Sequence, residues 1–130
     1  MADGRRSRKE SPRVFRSLQQ EALHRRDSPT GTVGRLFRGS GMELVWVRKQ
    51  GEEVDPHWFS SRAVDILIVV QGRLRVDFSD HRFPSRTLAP GDVLVLPPRT
   101  SCRGYRWPRA SRRATVFLAV YPSRGRRRGR

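Results

Sequence analysis

The sequence predicts an all-β domain of the sandwich or barrel class, on three observations. Short runs of β-branched and aliphatic residues recur between Gly31 and Tyr121, glycine or proline falls between the runs, and no stretch there has the length and periodicity of an amphipathic helix. The chain of 130 residues has room for one domain, and its 35% of hydrophobic residues suffices for a small core.

Taken in order, residues 1–30 are polar and charged and predict a basic arm that is mostly disordered. Within it Val14, Phe15, Leu18 and Leu23 stand near helical spacing and predict one short amphipathic helix between Pro12 and Asp27. The domain is expected over 31–121, with strands at 32–37, 42–47, 64–70, 73–78, 93–96 and 115–121. Residues 66–71 and 73–78 read as a hairpin whose turn places Gly72 at positive φ. In Pro90-Gly91 the proline presets the first corner of a second turn and the glycine supplies the next. Asp92 then leads into a strand that Pro97 and Pro98 stop. Residues 122–130 contain RGRRRGR, with no apolar side chain, and predict a solvated, disordered basic tail.

Basic residues outnumber acidic ones 28 to 12, for a formal charge of +16. Only Lys9 and Lys49 among them are lysine, a skew that GC-rich codon usage produces whatever the protein does. The aromatic-spaced basic motifs of RNA-binding modules are not found, so binding of nucleic acid or an acidic partner is expected only through the basic termini, non-specific and salt-sensitive. The longest aliphatic run, 66–70, is far short of the ~20 residues of a membrane span. MADGRRSRKE lacks the apolar stretch of a secretory signal, and Cys102 is the single cysteine, so the expected setting is reducing and cytoplasmic. No Gly-rich phosphate loop, CxxC pair or GxSxG elbow occurs. Ser60, His57 and Asp55 have the residue types of a catalytic triad, but three such residues in one loop have no fixed geometry.

Two stretches carry a more specific spacing. Gly51 is followed by five residues and His57, and Asp65 by six residues and Gly72; farther on, Gly91 is followed by five residues and Pro97. In these stretches the chain resembles the cupin superfamily, as a small single-domain member, over 42–121. The resemblance implies a double-stranded β-helix, a jelly-roll barrel of two antiparallel sheets. It also implies that His57, Asp65 and Cys102 stand at three of the four positions where metal-binding cupins hold a divalent ion, with Phe59 at the fourth, Arg99 at a motif glycine and Arg106 at a motif asparagine. Imidazole, carboxylate and thiolate could together take zinc, nickel, manganese or iron. The altered set favours a barrel without a metal cofactor.

The barrel mouth is expected to draw on arginines and aromatics of the same motifs, with Phe59, Arg73, Arg75, Arg99 and Tyr105 as pocket candidates. The function these features imply is binding of a small, acidic molecule in the barrel. The alternatives are a metal-dependent isomerase, lyase or oxygenase and the charge-driven binding through the termini. A homodimer formed through strand edges is expected as well.

Overall fold

Period-two alternation along the chain builds two antiparallel sheets that face one another across an apolar interior. The structure is a computed structural model and describes residues 11–123 and 127–128. A four-residue helix α1 (Leu18–Glu21) precedes β1 (Leu23–Ser28), β2 (Gly31–Gly39), β3 (Met42–Lys49), β4 (Phe59–Ser60), β5 (Asp65–Gln71) and β6 (Arg73–Phe78). There follow β7 (Arg86–Leu88), β8 (Val93–Leu96), β9 (Cys102–Trp107), β10 (Thr115–Pro122) and β11 (Arg127–Arg128). The larger sheet has the order β1-β2-β3-β10-β5-β8 and the smaller β11-β4-β9-β6-β7.

Register explains the core. Phe117 of β10 pairs with Val47 of β3 and Val69 of β5, and Ala119 pairs with Val45 and Leu67. These inward rows meet Leu74, Val76, Leu88 and Cys102 of the smaller sheet, together with Leu96 of β8, in one buried cluster. A second cluster lies on the outer face of the larger sheet, where Ala22, Leu36 and Trp46 are buried and Phe15 and Leu18 pack against them.

All six expected runs are strands. Gly72 and Gly91 take φ of 70° and 93°, and the Asp92 N–H donates to the Ala89 carbonyl at 2.9 Å, closing the Pro90-Gly91 turn. The termini differ from expectation. Residues 1–10 lie outside the described residues, but the rest of the arm holds β1, which pairs with β2 along the sheet edge although all six of its residues are exposed. Backbone pairing needs no apolar side chain, which is why polarity pointed elsewhere. The expected helix is reduced to α1; Phe15 and Leu18 are packed, while Val14 and Leu23 are 68% and 60% exposed. In the tail, β11 pairs with β4, and residues 124–126 and 129–130 lie outside the described residues.

Candidate functional site

Between the sheets lies a cavity of about 660 Å³, within the ordinary range for small-molecule sites. Its wall is mixed, with Val33, Val45, Val47, Phe59, Leu67 and Phe117 supplying the apolar part. The lining row of β3 runs Glu43, Val45, Val47, Lys49, so a carboxylate and an ammonium group belong to opposite ends of a stretch of roughly 20 Å. At the Glu43 end the Tyr121 hydroxyl donates to Glu43 Oε1 at 3.3 Å, and Arg38 Nε lies 3.7 Å from the other oxygen. Near Lys49 the lining includes Arg26, Arg48, Asp27 and Asp55. Asp27 accepts from Thr32 Oγ1 at 2.7 Å.

Asp55 is tied to His57. The His57 backbone N–H donates to Asp55 Oδ1 at 3.0 Å, and the ring Nδ1 lies 2.7 Å from the same oxygen. Burial pushes the Asp55 carboxyl up, but these two hydrogen bonds and the charges of Lys49 and His57 outweigh it and hold the group below its ordinary 3.8. An ionised carboxylate only accepts, so Nδ1 carries the proton.

The three expected metal ligands are not brought together. Cys102 is buried and lines the cavity beside Phe59, its partner across the β4–β9 pair. Asp65 is buried at the head of β5, but its Oδ1 accepts from Ser61 Oγ at 2.7 Å and it is not part of the cavity lining. Ser61 sits in the loop between β4 and β5, and its carbonyl accepts the Arg99 N–H at 2.7 Å, which pins that loop over the carboxylate. His57 is 46% exposed and turned to Asp55. Among the described residues no group of three or more His, Cys, Asp or Glu side chains is placed to hold a metal ion. With phenylalanine at one position, a serine-bound carboxylate at another and an exposed imidazole, the donor set does not fit a resident metal.

Of the pocket candidates, Phe59 lines the cavity. Arg73, Arg75, Arg99 and Tyr105 do not. Arg73 and Arg99 are exposed, and Arg75 and Tyr105 belong to the outward rows of β6 and β9, because strand alternation gives the inward places to Leu74, Val76, Cys102, Gly104 and Arg106. Cavity residues missed from sequence are Lys49, Arg26, Arg48, Glu43 and Tyr121. For Glu43 and Lys49 the signal was present in the alternation with Val45 and Val47.

No family model matches the chain, and no curated protein matches it. Solved structures do. An uncharacterized conserved protein with a double-stranded β-helix domain from Klebsiella pneumoniae superposes with a TM-score of 0.72 at 11% identity, over 92% of this chain and 99% of that one. An RmlC-like cupin family protein with a double-stranded β-helix fold from Methanocaldococcus jannaschii gives 0.60 at 16%, over 78% and 87%. Hydroxypropylphosphonic acid epoxidase from S. wedmorenis gives 0.64 at 14%, over 82% of this chain and 58% of the other. No helix among the described residues is long and apolar enough to cross a membrane. Two facing antiparallel sheets around a cavity, matched over most of the chain by these neighbours, are the double-stranded β-helix, and the chain has the fold of the cupin superfamily.

Proposed function

We propose that this chain binds a small molecule with an apolar body and an acidic group inside the barrel, by the protein's own side chains and without a resident metal. The observation that carries the reading is the polarity of the cavity: an apolar portion formed by valines and phenylalanines, with Lys49 and Arg26 toward one end. Asp55 already acts on Lys49, but a lysine carries three N–H donors and an arginine five, so the same cations can take a carboxylate, phosphate or phosphonate as well. The wall formed by Phe59, Phe117 and the valines favours a compact apolar portion in the same molecule. The neighbour from S. wedmorenis is, by its name, an enzyme of a small phosphonic acid, which is the ligand class proposed here. The reading is one of binding, and no reaction is assigned to it.

The test is a thermal-shift and calorimetric screen of alkyl and aryl carboxylates, phosphates and phosphonates at constant ionic strength, with the corresponding neutral amides and esters as controls. At least one acid is expected to raise the melting temperature, and Lys49→Met to weaken its binding about tenfold, as befits one charge-assisted contact. Acids that do no better than their neutral analogues would sink the reading. The same preparation is expected to contain no stoichiometric zinc, nickel, manganese or iron and to melt unchanged when these ions are added. A stoichiometric metal lost in His57→Ala would instead favour the metal-enzyme alternative.

A further inference from the structure

The outer face of the smaller sheet is a second candidate surface, and of its residues named below Arg103 alone also lines the cavity. Register sets Arg73, Arg75 and Asp77 of β6 opposite Trp107, Tyr105 and Arg103 of β9, all on the outward rows. The Arg75 guanidinium lies 4.9 Å from the centre of the Trp107 ring, and that of Arg103 lies 4.4 Å from the Trp58 ring. Tyr105 and Trp107 meet edge to face, with centroids 6.2 Å apart. Three guanidinium groups and three rings therefore interleave on one face around a single carboxylate. That carboxylate is committed: Asp77 accepts from Ser85 Oγ at 2.6 Å and the Tyr105 hydroxyl at 3.0 Å, with Arg103 Nε at 3.5 Å. The face keeps an excess of positive charge.

We propose that this face binds single-stranded nucleic acid, with bases stacked on the rings and phosphates held by the guanidinium groups. Base–aromatic stacking tolerates any sequence, and a guanidinium lying on a ring keeps its N–H edge available to an anion. Arg75 gives one such donor to Thr87 Oγ1 at 2.7 Å and has others to offer. Bases splayed out of a single strand can reach such rings, whereas those closed inside a duplex cannot. The formal charge of +16 draws any polyanion, whereas a second copy of this chain pairing face to face would set like charges together. The interleaving draws on β6, β9 and the loop before β4, which is why no linear motif marks it.

Fluorescence anisotropy on the full chain at fixed ionic strength, using a labelled oligothymidylate, the duplex of the same length and heparin as a base-free polyanion, tests the proposal. Oligothymidylate is expected to bind about tenfold tighter than the duplex and to quench tryptophan emission. Trp107→Ala and Arg75→Ala are each expected to weaken that binding about tenfold, while Trp107→Ala leaves heparin binding unchanged. Trp107→Phe keeps a ring and is expected to retain most of the affinity, which separates lost stacking from a lost fold. Equal affinity for all three polyanions, or full affinity in Trp107→Ala, overturns the proposal. So does a concentration-dependent dimer that Trp107→Ala dissolves.

Discussion

Asp55 and His57 lie two residues apart in the loop between β3 and β4, and their contact fixes the ionisation of one lining group of the cavity. Because the folded-state value of Asp55 lies below the ordinary 3.8, its ionised form stabilises the fold. That contribution is fully present above 3.8 and is lost as pH falls through the lower folded-state value. Urea titrations of the parent and Asp55→Asn are therefore expected to show a stability gap above pH 4 that narrows on acidification below 3.8, and a gap independent of pH would contradict the assignment. At this scale the sequence was partly legible. Motif spacing picked out Cys102 and Phe59, which do line the cavity, and Asp65, which is buried; it could not show that Ser61 closes over Asp65 or that His57 turns to Asp55. Both outcomes depend on the path of short loops, which no periodicity records.

Elements were legible in proportion to their alternation. Strands β2, β3, β5, β6, β8 and β10 each carry the β-branched or aliphatic runs that burial demands. Strand β9 reads CRGYRW, and its inward places, Cys102, Gly104 and Arg106, carry no aliphatic or β-branched run; β1, β4, β7 and β11 are short or exposed. The β5–β6 hairpin shows how tightly a legible element is specified. Gly72 has φ of 70°, and a Cβ there would lie 3.0 Å from the Ala114 carbonyl oxygen and 3.1 Å from Thr115 Oγ1. Thr115 is fully buried and donates to the Arg73 carbonyl, so it has no room to yield. Gly72→Ala is expected to cost about 1–2 kcal/mol from backbone strain, with crowding adding to it, seen as a lower urea midpoint at unchanged slope. An unchanged midpoint would mean that the turn relaxes freely, against the geometry of its floor.

For the whole molecule, the larger sheet is unevenly covered. Phe15, Leu18 and Ala22 shield the outer face around Trp46, Val116 and Leu118, whereas at the other end Val70, Val93 and Val95 are 43%, 56% and 56% exposed. Val93 pairs with Ile68 and Val95 with Ile66, so the apolar side chains of β5 and β8 form one continuous outward patch. Strand β8 also ends the sheet, with β5 as its one neighbour among the described residues, and an apolar edge of this kind is open to pairing with another chain. Two-fold pairing of β8 against its copy would satisfy the open backbone groups and bury the valines of both chains. Val95 is exposed, so a lysine there spares the core while setting two like charges across the axis. Sedimentation velocity is expected to find a dimer for the parent and a folded monomer for Val95→Lys at the same concentration. A monomeric parent would show that charge repulsion across a chain of net +16 outweighs the apolar edge, and a dimer that survives Val95→Lys would place the contact elsewhere.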